Sequence, residues 1–299
     1  MTTRRRVLTI LAGAAALPVF GARANTSVEQ WSGIALGAEA RIILDHPRAG
    51  TLISQALEEI RRLEKIFSLY LPDSQLSRLN REGILFAPAF ELIELLSICS
   101  NLNSRTDGAF DPTVQALWSL YAQQFSKGQP PNSEQIARAK AVTGWQHVEF
   151  SPRSVSFGRS GVLLTLNGIA QGFIADRVAD FFRKNGVSNV LVNTGEIAAL
   201  GMAPDGKPWQ VKLGSSEGTR VPLTDAAIAT SAPLGTAFDA GGKVGHIIDP
   251  RTGYPGGNWS EVTVISRSAA EADGLSTAFC LMSQPQIAAA KGNSRVLLR

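Results

Sequence analysis

The chain has 299 residues, 44% hydrophobic and 18% charged, with a formal net charge of +4. That length accommodates one large domain or two modest ones with a sizeable core, and the ordinary globular composition, free of low-complexity tracts and internal repeats, excludes a disordered or solenoid architecture. The positive charge itself hints at an acidic partner, but its distribution removes the hint.

Residues 1–24 carry a cationic start at Arg4, Arg5 and Arg6, an apolar run from Val7 to Phe20, and the small-x-small pattern Ala22-Arg23-Ala24. These are the three parts of a cleavable export signal. The apolar run falls short of the roughly 20 residues that span a bilayer. Thr3-Arg4-Arg5-Arg6-Val7-Leu8 resembles the twin-arginine pattern, a receptor-read address; a general secretory signal with a chance arginine pair is the alternative. Either reading predicts a periplasmic protein whose mature domain is residues 25–299. The leader holds four of the 29 basic residues and none of the 25 acidic ones, so the mature chain is neutral. Nucleic-acid and anionic-membrane binding lose their electrostatic basis, and no transmembrane helix is expected in the mature chain.

In chain order, Ile34 to Leu44 reads as a strand with Ala40, Ile42 and Leu44 on one face. Leu52, Ile53, Ala56, Leu57, Ile60, Leu63 and Phe67 recur at helical spacing, with Glu58, Glu59, Arg61 and Arg62 opposite. After a turn-rich stretch at 68–74 comes Gln75 to Asn80. A second long helix is predicted over Phe90 to Asn103, burying Leu92, Leu95, Leu96, Cys99 and Leu102. Asp107 to Pro112 is a turn opening a third helix, Thr113 to Gln124, and Ser126 to Ser133 reads as the one linker-like stretch. Short strands are expected between Val148 and Leu166. A helix from Ala170 to Lys184 is closed by Asn185-Gly186. Strands follow at Val187–Val192 and Val262–Ile265, then a last helix over Ala269–Met282. The order shows no sustained βαβ repeat and no Gly-x-Gly-x-x-Gly fingerprint, so the prediction is α+β with mostly antiparallel or mixed sheets, not a Rossmann domain. Cys99 and Cys280 sit in apolar helical patterns and read as buried free thiols rather than a disulfide.

Gly-x-Ser-x-Gly is absent, and no Cys/His cluster has metal-ligand spacing. His46 and His147 read as surface or structural. His246 stands apart, in Gly245-His246-Ile247-Ile248-Asp249-Pro250-Arg251-Thr252-Gly253, a polar turn after an apolar strand; a tight hairpin is the bland alternative. Leu164 to Asp176 reads as a strand entering a helix through small residues, and the N–H groups at such a helix start can cradle phosphate. Asp273 and Thr277 are four apart, on one helix face. A carboxylate and a hydroxyl so placed form an oxygen pair suited to magnesium, which takes few protein ligands plus substrate phosphates. A helix N-terminal charge is the structural alternative for Asp273.

Several blocks together resemble the ApbE-type FAD:protein FMN transferases. They are Ser68-x-Tyr70, Asp73-Ser74, Arg78-Leu79-Asn80, Gly108-x-Phe110-Asp111-Pro112-Thr113-Val114, Leu166-x-Gly168-Ile169-Ala170-x-Gly172-Phe173-x-x-Asp176, Val192-Asn193-x-Gly195, Ala229-Thr230-Ser231, His246 to Gly253, and Ala272-Asp273-x-x-x-Thr277. They occur in the family's order and cover nearly all of the mature chain. The resemblance implies an enzyme that uses FAD and Mg2+, releases AMP and joins FMN to a threonine or serine hydroxyl of an acceptor protein, an exported or membrane-anchored redox subunit. By similarity, the Gly168 carbonyl, Asp273 and Thr277, with Ser276 nearby, would hold the metal. Leu36, Tyr70, Ala109, Phe110, Asp111, Thr165, Gln171 and Ile247 would contact FAD, and His246 and Asp249 would lie at the catalytic centre. The base is His246 or a metal-linked carboxylate. The chain departs from the family pattern at Thr165 (usually Asp), Gln171 (often Lys or Glu), Gly195-Glu196 (a Gly-Gly pair) and Ala232-Pro233 after Thr230-Ser231 (Gly and an aromatic). A FAD pyrophosphatase and a non-catalytic flavin carrier are the competing readings.

Overall fold

The computed structural model describes residues 28–35, 38–213 and 219–299. The stretch expected to be an export signal, residues 1–24, and Leu36 therefore lie outside the described residues. Strands are β1 (Val28–Ala35), β2 (Ala38–Asp45), β3 (Ile84–Phe86), β4 (Val148–Phe150), β5 (Ser154–Phe157), β6 (Val190–Asn193), β7 (Ile197–Leu200), β8 (Trp209–Lys212), β9 (Arg220–Leu223), β10 (Ala226–Ser231), β11 (Val262–Ser266) and β12 (Arg295–Leu298). Helices are α1 (Ala49–Phe67), α2 (Gln75–Glu82), α3 (Phe90–Arg105), α4 (Gln115–Ser126), α5 (Ser133–Lys140), α6 (Ala170–Lys184), α7 (Ala269–Phe279) and α8 (Gln284–Ala290).

Seven strands form one sheet in the order β1-β2-β6-β7-β10-β11-β12, every neighbouring pair antiparallel. The α+β expectation holds. Side chains alternate across a strand, and here both faces are apolar. Ile42, Leu44, Val190, Val192, Ala198, Leu200, Ala227 and Ala229 join the main core with α1, α3, α6 and α7. Ile43, Leu191, Ile197, Ala199 and Ile228 point the other way, under Trp209, Val211, Val221 and Leu223 of the β8–β9 hairpin. A third cluster, Leu117, Tyr121, Ile136 and Ile248, joins α4 and α5 to the long segment between β10 and β11.

Several boundaries differ from the sequence reading. Ile34 to Leu44 is not one strand but parts of two, paired from Val28↔Asp45 to Ala35↔Ala38. The third helix starts at Gln115, after a single 3-10 turn at Pro112–Val114. The supposed linker runs straight into α5, whose start is fixed by a capping box in which Asn132 and Gln135 satisfy each other's backbone N–H groups. Residues 164–166 form no strand; the Asn80 side chain brackets Leu164, donating to its carbonyl at 2.8 Å and accepting from its N–H at 2.7 Å. Before His246 there is a lone bridge, Ala237↔Gly245, rather than a strand. Cys99 and Cys280 are both buried and free, as the apolar pattern predicts. Among the described residues, no helix is long and apolar enough to cross a membrane.

Candidate active site

Helices α6 and α7 pack so closely that a side chain at Gly172 would meet the Ala269 carbonyl oxygen at 2.2 Å. Each helix answers the other's N-terminus. Asp176 of α6 accepts from the Ala269 and Ala270 N–H groups at 2.7 and 3.0 Å and from the Ser268 hydroxyl at 2.7 Å, capping α7. Asp273 of α7 reaches back and accepts from the Gly172 N–H at 3.2 Å. A carboxylate at a helix start is favourable because the N–H dipoles sum there. The phosphate cradle expected at the start of α6 is thus partly taken, since one of its donors already serves Asp273.

Asp273 is buried to 4% exposure, and Thr277, one turn on, lies beside it on the same cavity wall. Thr277 approaches Gly168 so closely that a Cβ there would sit 3.0 Å from its Oγ1. Ser231 of β10 links the hydroxyls, 2.7 Å from Ser276 Oγ and 3.3 Å from Thr277 Oγ1. Ser276 is fully buried, and its hydroxyl is engaged by Ser231 and donates to the Asp273 carbonyl at 2.9 Å. It is absent from the cavity lining.

These residues open onto a cavity of about 430 Å³, within the usual range for small-molecule sites. Of the expected contacts, Ala109, Phe110, Asp111, Thr165, Gly168, Gln171, His246, Ile247, Asp273 and Thr277 all line it. Asp111 does so with a carboxylate already committed: Oδ1 accepts from the Thr113 N–H and hydroxyl at 2.8 and 2.7 Å, and Oδ2 from the Trp145 N–H at 3.0 Å. Burial raises its pKa and those hydrogen bonds oppose the rise. Thr165 donates its N–H to the Pro112 carbonyl at 2.8 Å, tying the wall to the start of α4. Tyr70 lies outside, its side chain largely exposed and hydrogen-bonded to that of Asn167, itself a lining residue.

The two residues expected at the catalytic centre part company. Asp249 is not in the lining; it grips Arg251 through both oxygens, at 2.9 Å to Nε and 2.8 Å to Nη2, and its carbonyl accepts from Thr252 and Gly253. It organises the turn. His246 does line the cavity. Its Nδ1 is 3.0 Å from the Thr236 carbonyl, which can only accept, so Nδ1 bears the proton of the neutral ring and Nε2 keeps a lone pair. Burial lowers its pKa, more than the carbonyls of Thr236 and Pro233 raise it. His46 accepts from the Arg48 N–H at 3.1 Å near the start of α1, and His147 ends a 3-10 turn; neither lines the cavity.

Sequence reading did not single out Gln115, Trp118 or Glu196 as site residues. Gln115 and Trp118 are one turn apart on α4 and line the cavity, while Leu117, Tyr121 and Gln124 hold the buried face; the polar-aromatic pair at helical spacing was the available signal. The Trp118 ring meets Phe238 edge-on at 5.5 Å between centroids. Glu196 enters from the β6–β7 turn and is buried, with its pKa driven up by burial and then by Asp273. Burial likewise pushes Asp273 up to about 7, opposed by the Gly172 N–H and reinforced by Asp176. The charged lining is thus Asp111, Glu196 and Asp273, with no lysine or arginine among the described lining residues. Buried carboxylates without a counter-charge are costly, and a divalent cation is the natural complement to this donor set. Among the described residues no group of three or more His, Cys, Asp or Glu is gathered for a metal, so a cation here would be one bound by few protein ligands and completed by waters and phosphates, as magnesium is.

A family model described as the ApbE family matches residues 34–296. The FAD:protein FMN transferase of Vibrio cholerae is 31% identical over 290 residues, covering 92% of this chain and 83% of that protein. The FAD:protein FMN transferase of Haemophilus influenzae is 30% identical over 316 residues, covering 97% and 91%. In three dimensions, the apo flavinyl transferase ApbE of Pseudomonas stutzeri superposes with a TM-score of 0.81 at 29% identity, covering 91% of each chain. The ApbE protein of Thermotoga maritima gives a TM-score of 0.81 at 27% identity, over 91% of this chain and 94% of that one. With a match spanning both the sheet and the cavity, the chain belongs to the ApbE family.

Proposed function

We propose that the protein transfers the FMN moiety of FAD to a threonine or serine hydroxyl of an acceptor protein, in a Mg2+-dependent reaction that releases AMP. The observation that carries this reading is the acidic cavity itself, in a chain whose relatives are named FAD:protein FMN transferases. A pyrophosphate is anionic, and Asp273 and Glu196 alone would repel it. Asp273, Thr277 and the Gly168 carbonyl would hold the cation that reconciles the two. When bound, Mg2+ supplies charge neutralisation at the phosphate oxygens, the main requirement of phosphoryl transfer.

The chain's own residues do the rest. Thr165, Gln171, Phe110 and Ile247 shape the pocket, and Trp118 offers an aromatic face to a flavin or adenine ring. His246, neutral and with Nε2 unprotonated, takes the proton of the acceptor hydroxyl. The hydroxyl oxygen bonds to the phosphorus of the FMN moiety, the bond from that phosphorus to the bridging oxygen breaks, and AMP leaves with that oxygen. A positioned base of this kind contributes roughly 10²–10⁴-fold.

The test combines the mature chain, FAD, Mg2+ and a candidate acceptor, with AMP followed by chromatography and covalent flavin by in-gel fluorescence. Both products together support transfer. AMP without labelled acceptor points to a pyrophosphatase, and FAD retained without either product points to a carrier. The leader pattern supports a periplasmic location, reached by the twin-arginine route, and an acceptor in that compartment, an exported or membrane-anchored redox subunit. Fusing residues 1–24 to a reporter that is active only after folded export checks the route.

A further inference from the structure

The β6–β7 turn brings a second buried carboxylate, Glu196, to the lining of the same cavity as Asp273, and the turn is held in place by close contacts. Thr194 donates its N–H to the Glu196 carbonyl at 3.0 Å and its hydroxyl to the Gln171 carbonyl at 3.0 Å, pinning the turn to the first turn of α6. Gly195 has φ +106, a conformation that favours glycine, and lies close to Gln171, an added Cβ sitting 2.6 Å from its side-chain amide. The Glu196 carboxylate accepts from the Thr230 N–H.

These contacts bracket Glu196 between the two strips that hold the proposed ligands. Gln171 precedes Gly172, whose N–H binds Asp273. Thr230 precedes Ser231, whose hydroxyl is 3.3 Å from that of Thr277. Glu196 is 6% exposed, and what remains open lines the same cavity as Asp273, Thr277 and Gly168. Burying an ionised glutamate in this position is unfavourable; the group either takes up a proton, as its raised pKa indicates, or keeps its charge beside something positive.

We propose that Glu196 is a further ligand of the cation site, giving a carboxylate oxygen to the metal directly or through one bound water. This rests on the Mg2+-dependent reading above. Magnesium is typically bound through one or two carboxylates together with waters and substrate phosphates, and Asp273 with Glu196 makes that second carboxylate available. A purely structural glutamate would need only to accept the Thr230 N–H, which a glutamine carbonyl does equally well. Glu196→Gln therefore separates the two roles.

The experiment measures binding of Mn2+ alone, as a paramagnetic substitute for Mg2+, to the FAD-free mature chain by electron paramagnetic resonance. Wild type is compared with Asp273→Asn, Glu196→Gln, Glu196→Ala and Glu196→Asp, each also followed through the shift in Tm on adding Mn2+. Glu196→Gln and Glu196→Ala are expected to weaken Mn2+ binding by about 10-fold or more and to shrink the metal-induced Tm shift, while Glu196→Asp recovers part of the affinity. Wild-type affinity in either Glu196→Gln or Glu196→Ala, alongside a loss in Asp273→Asn, overturns the role of Glu196 and leaves the magnesium reading standing. No Mn2+ binding by wild type overturns both.

Discussion

Gly172→Ala is the most direct probe of how the fold holds the site. Helix propensity alone favours the change by about 1 kcal/mol, because alanine replaces glycine inside α6. The neighbouring helix forbids it. The new Cβ would lie 2.2 Å from the Ala269 oxygen, 2.5 Å from its carbonyl carbon and 2.8 Å from the Ala270 nitrogen, where 3.4–4 Å is ordinary contact. These are backbone atoms anchored by Asp176, so no rotamer change relieves them and the helices must separate. Overpacking of this kind costs about 1–3 kcal/mol, and the strained bond from Gly172 to Asp273 adds about 1.5–3 kcal/mol if the carboxylate is ionised. Net of propensity, we expect a destabilisation of about 1.5–5 kcal/mol, equivalent to a fall in Tm of roughly 3–20 °C. Urea unfolding of the metal-free mature chain measures it. Gly50→Ala, near the start of α1 with nothing within 4 Å of its Cβ, is the control and should be neutral or stabilising by up to about 1 kcal/mol. A Gly172→Ala protein as stable as wild type would refute the close-packing argument.

Three further outcomes follow from the site. Asp273 has its pKa raised by burial from 3.8 to about 7, so its native state holds a proton that the unfolded chain releases; its stabilising effect on the metal-free protein is complete below 3.8 and is lost as pH rises toward 7. Asp273→Asn should therefore flatten the decline of stability over that window in pH-dependent denaturation, and an unaltered slope would contradict the assignment. His246→Ala should lower kcat by roughly 10²–10⁴-fold with little effect on FAD affinity. Because burial lowers the wild-type His246 pKa, the acid limb of kcat/KM should fall below the ordinary histidine value, and a limb above it would argue against His246 as the base. Trp118→Ala should weaken FAD binding by about 10-fold, as expected for loss of an aromatic stacking face; the check is flavin fluorescence titration, with unchanged affinity removing Trp118 from the binding surface.

How much was legible in the sequence depended on how local each signal was. The helices α1, α3, α6 and α7 could be placed because their apolar residues repeat within one element. Asp273 and Thr277 could be paired for the same reason. The β1–β2 hairpin was misread because its connection offers only Gly37 as punctuation within an apolar run, and because β1 is a largely exposed edge strand while β2 buries both of its faces. The strand β7 is Ile-Ala-Ala-Leu, too short and too alanine-rich to announce itself. Asp249 was placed at the catalytic centre by resemblance alone, and its pairing with Arg251 two residues away is a tertiary detail of the turn that no pattern announces. Glu196 and Trp118 become site residues only through tertiary placement, one on a turn and one on a helix that meet across the cavity. No periodicity encodes that meeting.

The exchange of carboxylates between α6 and α7 gives the two helices a shared grammar. Each begins where the other supplies its punctuation, so neither could be moved to another scaffold and keep its meaning. The transplantable unit is the pair, 164–184 with 266–279, carrying its crossing point along with its chemistry. Substitutions in the pocket's outer wall around Trp118 would accordingly alter the fit of a bound ring without disturbing that pair.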